Sequence, residues 1–323
     1  MKKIRKIVSL LLCCIMVISM GTVSASAFGG YAHWTIAAVR MDLNDSQMLS
    51  ENIKLAYKSG CLLADIGAAF MDHFKDFDTD SMEFTLAMYN LAMGQNNEMA
   101  KAFAFGWRDH NIQDTLGDAN HLYYEADEDG DVQWGPYDSY FRNYGWIDEY
   151  LRDELQPVDD YPIQSSSISQ MYVNYALIQG AYELLGESAP SENVINANII
   201  AMCVFYDCLI LSNLKGWTSA QRSRISLEML SMALNSYGIN AGLPEYMLTA
   251  NTAEVINDAE ENYAFFTEQE LNELSQYYSI ETTEISEGEA FISISKNNEE
   301  SYNKVLERIA SEKMSVSKEH VTD

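Results

Sequence analysis

The chain is poor in cysteine, in proline and in basic residues. It contains five cysteines and five prolines in 323 residues, and 20 Lys and Arg stand against 48 Asp and Glu, a formal net charge of −28. The low cysteine count argues against a disulfide-stabilised scaffold. The scarcity of proline permits long uninterrupted helices. The excess of negative charge disfavours binding to anionic lipid and to nucleic acid.

The first residues have the pattern of a secretory signal peptide. A basic start precedes an almost wholly apolar run over residues 7–20, and Ala25 and Ala27 then give a signal-peptidase motif. The alternative is a membrane anchor, but only about 14 residues are strongly apolar, fewer than a comfortable membrane span needs. We therefore expect residues 1–27 to be removed and the secreted, extracellular chain to begin at Phe28.

Three cysteines remain after this leader, at positions Cys61, Cys203 and Cys208. The last two are five residues apart in a predicted helix and face different sides of it, which argues against a local disulfide. We expect the remaining cysteines to be buried thiols.

Apolar residues recur at three- and four-residue spacing through most of the chain, which predicts amphipathic α-helices. The clearest segments are residues 45–74, 81–114, 167–187 and 218–239. A further segment over residues 193–214 is apolar on most faces and predicts a core helix. No clear alternating series, the mark of a strand, precedes "EAFISISK" at 289–296. The pattern therefore predicts an all-α fold, a multi-helix bundle.

The domain organisation follows from the same pattern. We predict a leader over residues 1–27, one helical domain over residues 28–250 and a C-terminal extension over residues 251–323. A polar stretch at roughly 250–290 marks the boundary between the last two. The extension contains one amphipathic segment, residues 300–314, and ends in a polar tail.

The histidines fall into two groups. His33, His73, His110 and His121 each belong to a predicted helix or helix end, whereas His320 lies in the polar tail. A single histidine is most often an ordinary core or surface residue. In a helical bundle, however, facing helices can direct several imidazoles toward one metal cluster.

Two pairs of ionisable residues have helical spacing. His110 and Asp114 are four residues apart in "FAFGWRDHNIQD", so a helix places them on one face, about 6 Å apart along its axis. That pair is either two ligands of one metal ion or a hydrogen bond on a helix surface. Asp65 and His73 are about two helical turns apart, so a continuous helix sets them on a common side. We interpret most of the acidic run around His73 as a solvated turn; it comprises Asp72, Asp76, Asp78 and Asp80.

The expected new N-terminus adds a further candidate ligand. Cleavage frees the α-amino group of Phe28, five residues before His33. An amine with a pKa near ~8 can lose its proton to a metal at neutral pH. Phe28 and His33 can then bind the same ion; the alternative is that this segment frays.

A second acidic pattern occurs in "DEDGDVQWGPYD". Four aspartates occupy positions one, three, five and twelve of a calcium-type loop, but position six is Val132 where glycine is required. The segment is either a calcium site or a solvated acidic turn, and we favour the turn. The aspartates are Asp127, Asp129, Asp131 and Asp138.

Two segments, "DHFKDFDTD" (72–80) and "AFAFGWRDHNIQD" (102–114), resemble those of the zinc-dependent phospholipase C family and of its relatives, the single-strand-specific zinc nucleases. The resemblance covers roughly residues 28–155. It implies an all-helical protein that hydrolyses phosphodiesters at a cluster of two or three zinc ions. It also implies that Asp65 orients or deprotonates the attacking water. The implied ligands are Phe28, His33, Asp65, His73, His110, Asp114, His121 and Asp148.

Two positions depart from the family's pattern. Asn120 stands where a histidine is expected, with His121 beside it, and Tyr144 stands where the histidine partner of Asp148 is expected. Tyrosine is a poor ligand at neutral pH because its pKa is near ~10. The resemblance therefore implies two zinc sites that share Asp114, and a third site that is altered.

We therefore expect a secreted zinc-dependent phosphodiesterase that hydrolyses a phospholipid headgroup, with peripheral contact to the membrane. One alternative is a single-strand nuclease of the same superfamily, with nucleic acid as its substrate. Another is a non-enzymatic secreted helical binding protein that kept the fold and part of the cluster, which Tyr144 favours. The sequence indicates no particular protein partner.

Overall fold

The computed structural model describes residues 29–43, 49–67, 79–120, 124–126, 132–134, 169–212, 273–286 and 288–308. Over these residues the protein is mostly helical and also contains a small antiparallel sheet, so the prediction of a fold made of helices alone holds only in outline. The predicted leader, Phe28 and the boundary at residue 250 lie outside the described residues.

The helices are α1 Gly30–Leu43, α2 Glu51–Leu63, α3 Met82–Met93, α4 Glu98–Asn120, α5 Tyr175–Leu184 and α6 Glu192–Ser212. A 3-10 turn, Ala64–Gly67, directly follows α2, and residues 299–308 are also helical. The strands are β1 Tyr124–Ala126, β2 Val132–Trp134, β3 Ser169–Asn174, β4 Tyr278–Ser286 and β5 Glu289–Lys296.

The described strands form two antiparallel sheets. β1 pairs with β2, and β5 lies between β3 and β4 in the larger sheet. The strand predicted from "EAFISISK" is confirmed as β5, which is buried along much of its length. This sheet joins residues 169–174 to residues 278–296, on either side of the predicted boundary.

Two strands correct the helical prediction. Residues 167–187 were expected to form one helix, but α5 begins only at Tyr175 and is preceded by β3. A short apolar run such as "MYV" is compatible with a helix or with a strand. In this protein the run forms a strand because it pairs with β5. β4 falls in the stretch expected to be a polar boundary; all but its first residues are exposed, so its sequence carries little apolar alternation.

The described core is formed where α2 crosses α4. Gly60 on α2 and Gly106 on α4 lie at the crossing, and a Cβ added to either glycine would overlap a backbone carbonyl oxygen of the other helix. The helices therefore meet backbone to backbone, which only glycine allows. Large side chains of the same hydrophobic core are fully buried, notably Trp34, Phe84, Phe103, Trp107 and Tyr172.

A buried carboxylate joins the sheet to the helices. Glu289 at the start of β5 accepts hydrogen bonds from Asn97 (2.6 Å), Tyr172 (2.9 Å) and Asn174 (3.0 Å). Asn97 also caps the start of α4 and Asn174 caps α5. Several donors satisfy the buried acid, so its burial is tolerated.

Cys61 and Cys203 are buried, as predicted, whereas the side chain of Cys208 lies outside the described residues.

None of the helices that the structure describes has the length and apolar character needed to span a bilayer.

The α2–α4 crossing gives a direct prediction. Gly60→Ala or Gly106→Ala should lower the free energy of unfolding by about 2 kcal/mol or more, because the added methyl forces two backbones apart. Chemical denaturation of each variant measures this. Gly94→Ala, in the exposed turn after α3, meets no atom closer than 3.5 Å and should change stability by less than about 1 kcal/mol. Equal effects at Gly60 and Gly94 would contradict the close crossing.

Candidate metal centre

One face of α4 leads from the core into a cluster of ionisable side chains. Phe103, Trp107, His110 and Asp114 follow one another at spacings of four, three and four residues, so they lie on the same face. All four are buried, with His110 at 0% and Asp114 at 4% exposure. The burial excludes an ordinary hydrogen bond on the helix surface as an explanation of the His110–Asp114 pair.

Three elements bring the cluster together. His33 comes from α1, Asp65 from the 3-10 turn after α2, and His110 and Asp114 from α4. His110 Nε2 lies 3.1 Å from Asp114 Oδ2 and 3.2 Å from Asp65 Oδ1. His33 Nε2 lies 3.1 Å from Asp114 Oδ1 and 4.0 Å from Asp65 Oδ2. Each carboxylate therefore turns one oxygen toward each imidazole.

The other ring nitrogens fix the orientation of the imidazoles. His110 Nδ1 donates to the carbonyl oxygen of Cys61, and His33 Nδ1 donates to Gln113 Oε1. Each donor–acceptor distance is 2.7 Å. Because both partners are acceptors, Nδ1 carries the proton and Nε2 is the atom directed at the carboxylates. The two rings stack with their centroids 4.0 Å apart.

Asp80 is a member of the cluster that the sequence analysis missed. Its Oδ1 lies 3.2 Å from His110 Nε2, and its side chain is only 10% exposed. Asn111, the residue after His110, donates from Nδ2 to Asp80 Oδ1 and to the Asp80 carbonyl oxygen. The interpretation as a solvated turn is therefore wrong for Asp80. The sequence spacing of the acidic run does not distinguish Asp80 from Asp76 or Asp78 as a buried residue. Asp76 and Asp78 lie outside the described residues.

Thr79 connects the two segments that carry Asp65 and Asp80. Its hydroxyl donates to the Ala64 carbonyl oxygen (2.7 Å) and accepts from the Gly67 backbone N–H (2.9 Å). Its own carbonyl oxygen accepts from Trp107 Nε1 (2.8 Å) on α4. Ser81 then caps α3. Asp80 is thus held between two anchored residues, and Asp65 is held in the turn that Thr79 closes.

The charges of the cluster are strongly coupled. Burial alone would lower the pKa of His110, but the carboxylates of Asp114, Asp65 and Asp80 together raise that pKa well above its ordinary value. Burial raises the pKa of Asp80, and the nearby acids add to the effect. Burial opposes ionisation of Asp114 too, but the two imidazoles hold its pKa below the usual range. The metal-free cluster therefore retains protons that a bound cation would displace.

Several of these polar atoms are oriented toward a common centre. Among the described residues, His110 Nε2 and both carboxylate oxygens of Asp114 are buried and make no hydrogen bond of acceptable geometry. Buried polar atoms without such bonds are rare and costly. Two overlapping sets of side chains place their ligand atoms within 4.8 Å of one another and could hold a metal ion. They are His33, Asp65 and His110, and Asp65, Asp80, His110 and Asp114.

Asp109 has a different role, although it directly precedes His110. It forms an ion pair with the partly buried Arg40 on α1 and accepts a hydrogen bond from Tyr57 OH (2.7 Å). Arg108 lies 3.1 Å from its other oxygen. These contacts neutralise Asp109 and attach α1 to α4.

The structure brings together His33, Asp65, His110 and Asp114 from the predicted ligand set. Asp65 is not on an α-helix continuing toward His73, because α2 ends at Leu63 and the 3-10 turn follows. Asn120 is the last residue of α4. The other predicted positions lie outside the described residues: Phe28, His73, His121, Tyr144, Asp148 and the four aspartates of the calcium-type loop.

The link through Thr79 can be tested by substitution. Thr79→Val keeps the shape of this buried side chain but leaves the Ala64 carbonyl and the Gly67 N–H without their partner. We expect a loss of about 2 kcal/mol in the free energy of unfolding and a roughly 10- to 100-fold weaker affinity for an added divalent metal ion. Denaturation and calorimetric titration measure the two effects. Thr283→Val on the exposed part of β4 should change stability by less than about 0.5 kcal/mol. Equal results for both variants would contradict this role of Thr79.

Comparison with known proteins gives no match: no family model fits the chain, and neither a curated protein nor a solved structure matches it. The chemistry of the cluster is therefore the main evidence for a function.

Proposed function

We propose that the protein is a secreted zinc-dependent phosphoric diester hydrolase, a helical domain built around at least two zinc ions. The observation that carries the proposal is the arrangement of two buried imidazoles around two buried carboxylates, with one oxygen of Asp114 near each ring. The sequence resemblance to zinc-dependent phospholipase C supports the same conclusion independently of the geometry.

The donor set fits zinc. Imidazole nitrogen and carboxylate oxygen are both ordinary zinc ligands, whereas calcium and magnesium prefer oxygen alone. The Nδ1 hydrogen bonds of His33 and His110 are those found behind metal-binding histidines, since they direct Nε2 at the metal. The buried atoms of His110 and Asp114 that make no good hydrogen bond would be satisfied by an ion.

Asp114 fits the role of a bridge between two ions. A neutral imidazole has one available lone pair, so His33 and His110 can each bind a single ion through Nε2. Because Asp114 presents Oδ1 to His33 and Oδ2 to His110, its two oxygens would belong to different ions. Asp65 likewise presents Oδ1 to His110 Nε2 (3.2 Å) and Oδ2 to His33 Nε2, but the second distance is longer (4.0 Å). A third ion would need the predicted ligands beyond Asn120.

The chemistry divides between the metal and the side chains. Bound zinc would lower the pKa of a water toward ~7 and offset negative charge on the phosphate. Asp65 is the residue that we assign to orient the attacking water or to accept its proton, as the resemblance implies. Gln113 and the Cys61 carbonyl hold the imidazoles in place.

The proposed substrate is a phospholipid with a neutral or zwitterionic headgroup, reached by peripheral contact with a membrane surface. The resemblance to phospholipase C supports lipid, and the large excess of acidic over basic residues disfavours a polyanion. The nuclease of the same superfamily and the non-enzymatic binding protein remain the alternatives that the following experiments distinguish.

The first experiment concerns the metal. Asp114→Asn should reduce bound zinc, abolish phosphodiester hydrolysis and remove the thermal stabilisation that zinc provides, because an amide cannot neutralise either ion. His110→Ala should do the same by removing a nitrogen ligand. Zinc stoichiometry by mass spectrometry, thermal unfolding with and without chelator, and hydrolysis of bis(p-nitrophenyl) phosphate measure the three effects. At zinc concentrations near 1,000 times Kd, binding contributes about 4 kcal/mol to stability.

Cys61→Ala is the matched control for these variants. Cys61 is buried beside the cluster and contacts His110 through its backbone carbonyl, which the substitution keeps; its thiol makes only a long contact with Gln113 Nε2 (3.9 Å), and burial raises the pKa of the thiol to about 11. Its loss should leave the zinc content unchanged while costing roughly 1 kcal/mol of stability. Unchanged zinc in both Asp114→Asn and His110→Ala would contradict the metal centre.

The second experiment concerns the substrate. We expect zinc-dependent release of the phosphorylated headgroup from phosphatidylcholine vesicles. Cleavage of anionic lipid should be slower at low salt, because repulsion from the acidic protein is least screened there. Preference for single-stranded DNA over every lipid would instead indicate the nuclease. Zinc binding without hydrolysis of either substrate would indicate the non-enzymatic protein.

A further inference from the structure

We propose that Asp80 is a direct ligand of the metal ion that binds at His110. The proposal rests on the metal centre described above, and it adds a residue that the phospholipase C resemblance does not include. Asp80 Oδ1 lies 3.2 Å from His110 Nε2, the same distance as Asp65 Oδ1, and Asp114 Oδ2 lies at 3.1 Å. Three carboxylate oxygens thus surround one imidazole nitrogen at nearly equal distances.

These distances match those between the ligand atoms of a tetrahedral site. Zinc bonds of about 2.1 Å at tetrahedral angles hold neighbouring ligand atoms about 3.4 Å apart. The oxygens of Asp65, Asp80 and Asp114 lie 3.1–3.2 Å from His110 Nε2, and all four ligand atoms lie within 4.8 Å of one another. The three oxygens are therefore within reach of an ion bound at His110 Nε2.

Two atoms of the group point to a ligand independently of Asp80. His110 Nε2 and Asp114 Oδ2 are buried, and neither makes a hydrogen bond of acceptable geometry with the described residues. An ion shared with Asp80 would satisfy both atoms. Without such an ion, three nearly buried carboxylates lie around one imidazole, and grouped like charges are unfavourable unless a cation offsets them.

The support behind Asp80 is of the kind that orients a ligand. Asn111 donates to Asp80 Oδ1 and also to its backbone carbonyl oxygen, so both the side chain and the chain itself are fixed to α4. Asn111 in turn accepts a hydrogen bond from Thr85 Oγ1. Metal-binding carboxylates are commonly held in this way by outer hydrogen bonds.

The assignment makes the two ions unequal. The ion at His110 would have three carboxylates and one imidazole, whereas the ion at His33 would share two of those carboxylates and lack Asp80. Oxygen-rich sites accept manganese more readily than nitrogen-rich ones do. The site at His110 should therefore also bind Mn²⁺, and loss of Asp80 should affect one ion much more than the other.

The first test is Asp80→Asn, measured by calorimetric titration of the metal-free protein with Zn²⁺. The amide keeps the size of the side chain and an oxygen that can accept from Asn111. We expect one of two ions to bind at least about 100-fold more weakly, beyond the roughly 10- to 100-fold effect of an outer partner. Glu83→Gln, the same change of charge on the exposed start of α3, should leave both ions unaffected.

The second test detects the bond itself. Asp80→Cys loaded with Co²⁺ should show a sulfur-to-cobalt charge-transfer band in the near ultraviolet, because a thiolate at a ligand position binds the ion directly. Glu83→Cys and the wild-type protein, which contains Cys61, should not show it. A residue that acts only through packing would give no band.

The outcomes separate this proposal from the proposed function. Wild-type zinc affinity in Asp80→Asn, or no band in Asp80→Cys, would overturn the role of Asp80 and leave the rest of the metal centre intact. Failure of wild-type protein to bind zinc would overturn both. Weakened binding in Asp80→Asn, in a protein whose zinc-loaded form cleaves no phosphodiester, would support the ligand and refute the hydrolase.

Discussion

The backbone contact between α2 and α4 at Gly60 and Gly106 is the constraint on which the rest of the described structure depends. It brings the end of α2 close enough for the Cys61 carbonyl to accept from His110 Nδ1, which sets the direction of that imidazole. It also places the turn that carries Asp65 opposite the same face of α4. A side chain larger than hydrogen at the crossing would separate the helices, and with them the two halves of the cluster.

The grouped acids that could bind a metal ion lower the stability of the fold when no metal is bound. Asp65, Asp80 and Asp114 are nearly buried around two imidazoles, and a group of like charges is unfavourable unless a cation offsets it. Hydrogen bonds from Asn111 to Asp80 and from Thr79 to the neighbouring turn hold the acids near each other despite their repulsion. Glu289 differs from these acids, since that buried carboxylate receives hydrogen bonds from several side-chain donors.

The local parts of this arrangement are predictable from sequence, and the parts made by distant contacts are not. Helical periodicity identifies α4 and puts His110 and Asp114 on one face, because both properties depend on the spacing of nearby residues. The burial of Asp80 cannot be predicted from such spacing, because Asp80 is held by Asn111, 31 positions later in the chain. The same holds for β3: the apolar run at 171–173 becomes a strand only when β5 lies beside it. The 3-10 turn at Asp65 follows from the bond to Thr79, another distant partner.

Three consecutive polar residues of α4 show how one helix organises the whole centre. Successive residues of a helix point about 100° apart, so Asp109, His110 and Asn111 face three different neighbours. Asp109 attaches α1 through Arg40, His110 faces the carboxylates, and Asn111 holds Asp80. The ion pair to Arg40 has a further consequence, because the same helix α1 carries His33 two turns earlier, where Gln113 of α4 accepts from its Nδ1. α1 is therefore attached to α4 at two points, and the Arg40–Asp109 ion pair helps to keep His33 Nε2 within reach of Asp114.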